Sequence, residues 1–541
     1  MRRQLWVWGL IASSWELLGL LACGASAGDA GMAPSANASG AADGGYPYPG
    51  AGGAGGSAYA DAASEPALPP EQELESSYES PVATGRFVWI TNPTSGRVAY
   101  VDAASLEVRT VPAGNGPTYM AAIPSQDNDM AVVINTLSDD ATILRASADG
   151  TIGTKTLKIA GGANSWAVSH AGRWAIAWTD ARLETNPSQV QGFQDVTVVD
   201  LTSGQEAASR LSVGYRPVAL SFSSDDTKAY AVTQDGVSVM ALDAPGGPQA
   251  TRIVPMSDDP LEDPDTRDVS LTPDGSYALV RRDGQSVITV VSLSSGDLTK
   301  VNLSGPCTDL DLSADGTRAL AVIRDNSDVA ILPVPEIATA PDSYEVVHVD
   351  NATVGSIAIA EAAPVALAYT NAIDQNLITA IGFESEPVQV TTLKLHGAVE
   401  SVFPSYTGAS AIVVHKPIAG VPGAFSALSL APLLPARIQS TQAPITAVAL
   451  TPSGDRAIVA ERDDATRVYG AYLVRSTTQQ VDRYDLASPP IAVGAVVGAK
   501  RAYVAQKHPE GRLTFIDLDT GLARTLTGFE LGARVIDGSN P

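Results

Sequence analysis

From Phe87 onward, apolar and polar residues alternate in short runs, and the pattern recurs about every 40–50 residues, a period that belongs to stacked or ring-closed repeats. Each unit reads as an alternating apolar strand, a tight turn, a strand rich in Ala, Val and Tyr, a variable loop, a third strand ending near Asp, a Ser/Thr-Gly turn and a polar fourth strand. One stretch shows it plainly. Asp268-Val269-Ser270-Leu271 runs into Thr272-Pro273-Asp274-Gly275, where proline pre-sets φ and glycine accepts a positive φ. Ser276 to Val280 then returns, Val287 to Val291 forms the third strand, and Ser294-Ser295-Gly296 turns into the fourth. The first turn recurs as Ser313-Ala314-Asp315-Gly316, Ser223-Ser224-Asp225-Asp226, His170-Ala171-Gly172 and Pro452-Ser453-Gly454, and the later one as Leu201-Thr202-Ser203-Gly204 and Leu518-Asp519-Thr520-Gly521. Four short strands per unit predict an all-β protein, a β-propeller of four-stranded antiparallel blades. About ten units fit between residue 83 and residue 541, so roughly seven to ten blades are expected.

The ends of the array suggest how the ring closes. The first unit, Val88 to Asn92, Arg97 to Asp102 and Glu107 to Val111, lacks an opening strand. One extra segment, Ala533-Arg534-Val535-Ile536-Asp537, follows the last unit. The expectation is that the C-terminal strand supplies the missing inner strand and removes an open sheet edge.

Ile90-Thr91-Asn92 followed by Gly96-Arg97-Val98-Ala99-Tyr100-Val101-Asp102 resembles the Tyr-Val-Thr-Asn propeller repeats, which are related to lactonase-like propellers and to some microbial surface-layer proteins. The likeness spans about 85% of the chain, and it implies a blade without implying a chemistry. Quinone-binding propellers carry a Trp just after the Thr-Gly turn. Here Gly204 is followed by Gln205-Glu206, Gly296 by Asp297-Leu298 and Gly521 by Leu522-Ala523, a departure from that pattern.

Ahead of the repeats, residues 1–22 have the form of an export signal. Arg2 and Arg3 precede apolar runs from Leu5 to Ala12 and from Leu17 to Ala22, interrupted by Glu16, and Leu20-Leu21-Ala22 leads into Cys23. A thiol directly after a small residue is what lipoprotein processing acylates, so the chain resembles a bacterial lipoprotein with Cys23 as the lipidated N-terminus. Plain secretion with a cut after Ala25-Ser26-Ala27, or an uncleaved anchor, fits the same leader. Residues 23–82 are rich in Gly, Ala, Pro and Ser, with no apolar period. They read as a flexible tether with a root-mean-square reach of roughly 40 Å.

A net charge of −25, from 34 basic and 59 acidic residues, argues against nucleic acid as a partner and against direct adhesion to anionic headgroups. With Cys23 acylated, Cys307 has no disulfide partner, and its acidic neighbours Asp309 and Asp311 disfavour a thiolate, so a buried inert thiol is expected. The five histidines, His170, His348, His396, His415 and His508, show no metal-ligand spacing. Gly24-Ala25-Ser26-Ala27-Gly28 matches a nucleophile elbow only literally, since it sits in the tether.

Two features remain as weak site candidates. The loop holding Asp258, Asp259, Glu262, Asp263 and Asp265 is dense enough in carboxylates to hold Ca²⁺, although its two prolines equally fit a rigid solvated loop. Two long loops are expected on the same face of the propeller. One carries Arg182, Glu184, Asn186, Gln191 and Phe193, and the other Lys416. No cofactor is otherwise expected. The sequence thus predicts an exported, lipid-anchored propeller that serves as a protein- or glycan-binding or scaffold module of the bacterial cell envelope. Gly24, in place of the Asp that retains many lipoproteins at the inner membrane, implies by resemblance the outer membrane or cell surface. The alternative is a lactonase-like or lyase-like enzyme with a metal in the central funnel.

Overall fold

The computed structural model describes residues 82–124, 129–183, 194–259, 262, 266–508 and 511–528. They form ten four-stranded antiparallel sheets, each with its strands in chain order. The blades span residues 82–112, 117–158, 165–212, 219–254, 267–302, 309–348, 356–394, 399–441, 445–485 and 490–527. Within a blade the composition follows position. The second strand of blade 2, Met130–Asn135, is buried at every residue, whereas its fourth strand, Ile152–Lys158, is exposed along most of its length. Inner strands pack against neighbouring blades on both faces, which explains their continuous apolar runs, and the polar fourth strands form the rim.

Ten apolar clusters hold the sheets together, and each lies between two adjacent blades. Leu279, Ile288 and Val290 of blade 5, for example, meet Leu310, Ala321 and Leu332 of blade 6. The remaining seams are built alike. The last cluster joins Val88, Ile90, Ala99 and Val101 of blade 1 to Tyr503, Ala505, Leu513 and Phe515 of blade 10. The ring is therefore closed by side-chain packing, and the about ten sequence units are ten blades.

The means of closure differs from the sequence expectation. Blade 1 consists of β1 (Val82–Ala83), β2 (Phe87–Asn92), β3 (Arg97–Asp102) and β4 (Val108–Pro112). Val82 pairs with Trp89 and Ala83 with Val88, so the inner position assigned to the C-terminal strand is already filled. The two-residue β1 lacks the alternating run that marks the other inner strands, and for that reason the pattern did not reveal it. Residues 533–536 lie outside the described residues.

The connections between first and second strands tile one face. In blade 5, Thr272 Oγ1 donates to Asp274 Oδ1 at 2.7 Å and accepts from Tyr277 N at 3.0 Å. Gly275, at φ +68°, sits so close to blade 4 that an added Cβ would lie 1.9 Å from Tyr230 Oη. Blade 4 places Asp226 at the equivalent position, with φ +56°, and uses its carboxylate to accept from His170 N (2.9 Å) and Ala171 N (2.6 Å) of the turn in blade 3. The tiling also crosses the closing seam, where Gly498 N donates to Gly85 O at 3.1 Å.

Candidate functional site

The opposite face carries the connections from second to third strand and from one blade to the next, and among these are the two longest connections. The connection after Trp178 extends to Asp195, and that between blades 4 and 5 runs from residue 255 to residue 266. Turns on the other side are mostly five residues or fewer, as in residues 272–276 and 313–317, with an eleven-residue exception at residues 334–344 in blade 6. Irregular loops on a rigid scaffold are where binding groups concentrate.

A buried polar residue in most blades shapes this loop-bearing face. The second strand of many blades closes on a polar side chain that ties down the segment leading into the same blade. Glu461, fully buried, accepts from Gln442 N (2.7 Å) and Ala443 N (3.1 Å). Tyr472 Oη donates to the same oxygen, Oε2, at 2.9 Å, and Arg483 meets the other, Oε1, at 2.6 Å. Arg282 donates to Met256 O at 2.9 Å and to Thr289 Oγ1 at 2.8 Å. Asn135 donates to Asp140 and Thr142, and Gln506 Nε2 to Thr514 Oγ1 at 2.7 Å, while Ser488 Oγ donates to Gln506 Oε1 at 3.2 Å. Close approach of these side chains requires glycine opposite: an added Cβ on Gly114 would lie 2.4 Å from Asn135 Nδ2, and one on Gly214 would lie 2.1 Å from Thr233 Oγ1.

His415 belongs to this set. Its Nδ1 donates to Ala398 O at 3.2 Å, so in the neutral ring Nε2 accepts from Ser426 Oγ at 2.6 Å. Burial pushes its pKa down, which favours that neutral form. Ser426 is 0% exposed, so the pair holds the frame and offers no nucleophile to a substrate. Sequence reasoning missed the set as a whole. Its signal is a polar residue ending six of the apolar second strands, Asn92, Asn135, Thr233, Arg282, His415 and Gln506, with Glu461 two residues before the end of a seventh.

Two carboxylates of the acidic loop, Glu262 and Asp258, are paired with cationic side chains. Burial opposes ionisation of Glu262, but hydrogen bonds from Arg282, Ser257 and Arg267 outweigh it and hold its pKa at about 2. Arg267 Nε lies 2.5 Å and Arg282 Nε 2.7 Å from its Oε1. Asp258 pairs with Lys300 Nζ at 3.1 Å, and Asp259 accepts at its carbonyl from Glu262 N at 3.3 Å. Asp263 and Asp265 lie outside the described residues. Among the described residues no group of three His, Cys, Asp or Glu side chains is placed to hold a metal ion.

Of the two long loops, Glu184, Asn186, Gln191 and Phe193 also lie outside the described residues. Arg182 grips Asp180 through two side-chain hydrogen bonds at 2.9 and 2.8 Å and also donates to Val218 O, just ahead of blade 4, so it braces a seam. Lys416 pairs with Asp374 Oδ1 at 3.2 Å. Arg182 and Lys416 share a face, but blades 3 and 8 stand on opposite sides of a ten-blade ring, and the fold does not bring the two residues together. Cys307 is buried, donates to Asp309 O at 3.1 Å, and has its pKa pushed up to about 12 by burial. Asp309 in turn accepts from Leu310 N at 2.8 Å and from Ile357 N of blade 7 at 2.7 Å. Cys23 lies outside the described residues.

No family model and no curated protein matches the chain. Solved structures with a similar fold include dihydro-heme d1 dehydrogenase, at 12% identity and a TM-score of 0.42, covering 85% of this chain and 76% of that one. Kuenenia stuttgartiensis hydrazine synthase is similar over 46% of this chain and 76% of its own, at 14% identity and a TM-score of 0.32. A chain of the mitotic checkpoint complex is similar over 48% of this chain and 75% of its own, at 13% identity and a TM-score of 0.32. Likeness at this level carries nothing about what the chain binds or does.

Proposed function

We propose that this chain is an exported, lipid-anchored β-propeller that acts as a binding or scaffold module of the bacterial cell envelope, taking a protein or glycan partner on its loop-bearing face. The observation that carries the reading is the asymmetry of the ring: one face is tiled mostly by turns of about five residues, with one longer connection at residues 334–344, and the other carries the two longest connections, residues 179–194 and 255–266. The leader ending at Cys23 and the tether of residues 23–82 supply the anchor and the reach. An outer-membrane or surface position follows from Gly24 by the same resemblance. On the loop between blades 4 and 5, Glu262 is engaged by Arg267 and Arg282, and Asp258 by Lys300.

Two experiments test the reading. Palmitate should label the wild type and not Cys23→Ala, whereas a mature N-terminus at Gly28 would overturn the anchor. A photo-crosslinking residue at position 416 should yield defined envelope adducts in whole cells, and one at Asp519 on the turn face should not. Equal adducts from both positions would overturn the assignment of the binding face.

A further inference from the structure

At five seams, an arginine of one blade donates to a backbone carbonyl in the turn between the third and fourth strands of the next. Arg145 reaches Leu201 O at 2.5 Å, Arg252 Ser294 O at 2.8 Å, Arg437 Gln479 O at 2.7 Å, Arg456 Leu518 O at 3.4 Å and Arg501 Ala103 O at 2.6 Å. Between blades 3 and 4 the arrangement is different. Trp174 occupies the strand position that Arg456 and Arg501 hold elsewhere, and Arg173 lies over its ring at 4.4 Å. The guanidinium meets the Asp243 carboxylate at 2.7 Å and Asp200 at 3.8 Å. The facing connection of blade 4 is widened by Gly246 and Gly247, at φ +96° and +106°. An open cleft of about 360 Å³ remains there, and Ala207 and Pro248 are among the more exposed apolar residues of its lining.

We propose that this cleft binds a neutral saccharide. Its charges decide the class. An anion would approach Asp200 and Asp243, and a cation would approach Arg173. A pair of neighbouring hydroxyls can accept from the guanidinium and donate to a carboxylate at once, satisfying both signs. Ala207 and Pro248 offer apolar surface to the C–H face of a sugar ring, and the volume falls at the small end of the range for ligand sites, about 300–1,000 Å³. Arg173 and Asp243 have side chains 47% and 44% exposed, so their remaining hydrogen-bonding positions are open to a ligand. The proposal rests on reading the protein as a ligand-binding propeller, but it uses neither the lipid anchor nor the loop-bearing face.

The test is ligand-observed NMR and titration of the full chain with glucose, galactose, mannose and N-acetylglucosamine, with glucosamine and glucuronate as charged comparators. At least one neutral sugar should bind with a dissociation constant of roughly millimolar and more tightly than either charged comparator. Arg173→Gln and Asp243→Asn should each weaken binding by about ten- to a hundredfold, with unchanged melting curves showing that both variants fold. Lys416→Ala, on the other face, should bind as the wild type does. Absence of binding by every neutral probe, or equal binding by wild type and both cleft variants, would overturn the proposal. Adducts at position 416 would persist in the first case if the envelope-binding reading is sound, so the two ideas fail separately.

Discussion

The seam between blades 5 and 6 is crossed by the polypeptide, and the seam between blades 10 and 1 is not, yet the two are built from the same parts. Leu279, Val290, Leu310 and Leu332 fill one, and Val88, Ile90, Leu513 and Phe515 fill the other. In repeat proteins, cohesion comes from burial between neighbours, each interface contributing its own term, and here chain connectivity across a seam adds little to that. The closing seam adds a guanidinium clamp from Arg501 to Ala103 O and the turn contact from Gly498 N to Gly85 O. Such a ring can close without exchanging strands between its first and last blades, because every blade, including the first, is made from one contiguous stretch of chain.

If closing and internal seams are equivalent, matched substitutions should have matched costs. Phe515→Ala in the closing seam and Phe425→Ala between blades 8 and 9 both remove a fully buried ring. Each should cost about 3–5 kcal/mol by denaturant unfolding, and a much smaller loss at Phe515 would mark the closing seam as loose. Arg501→Ala strips a donor from the partly buried Ala103 carbonyl and should cost about 1–3 kcal/mol. Arg456→Ala, whose longer bond to Leu518 O measures 3.4 Å, should cost less in the same assay. Gly498→Ala would place a Cβ 2.4 Å from Gly85 O, and Gly275→Ala one 1.9 Å from Tyr230 Oη at a positive φ. Both should lower the melting temperature, by the equivalent of at least about 1 kcal/mol.

Charge sets a third region, the loop between blades 4 and 5, apart from both seams. The folded pKa of Glu262 is about 2, against an unfolded value of about 4.3. Its contribution is therefore complete above the unfolded value and is lost as the pH falls through about 2. Glu262→Gln should flatten the acid limb of the stability profile, and Phe515→Ala should lower the whole profile without changing that limb. An acid limb unchanged in Glu262→Gln would show that the cluster with Arg267 and Arg282 does not hold the carboxylate in its ionised form.

Much of the blade was legible in the sequence because its determinants are local. The Thr272-Pro273-Asp274-Gly275 turn and the two-sided burial of Val287 to Val291 both appear as pattern, and both stand in the structure. Three features were not legible, each for a physical reason. The first inner strand, Val82–Ala83, is too short to show a period. The partners of Glu262 stand at the start of the first strand of blade 5 (Arg267) and at the end of its second strand (Arg282), so the loop alone reads as a set of free carboxylates. The cleft at Arg173 depends on what faces it from the next blade, Asp243 and the widened turn at Gly246-Gly247, and that juxtaposition follows only from the ring. Trp174 at a position held by Arg456 and Arg501 in other blades was the available clue.

The claim that ten equivalent seams close one ring is tested most directly by amide hydrogen exchange, strand by strand. The amides of β2 (Phe87–Asn92) and of Arg501–Gln506, which flank the closing seam, should be as strongly protected as those of Tyr277–Arg282 and Arg318–Ile323, which flank an internal one. Protection that falls off from the middle blades toward blades 1 and 10, as in an open array fraying at its ends, would contradict closure by packing.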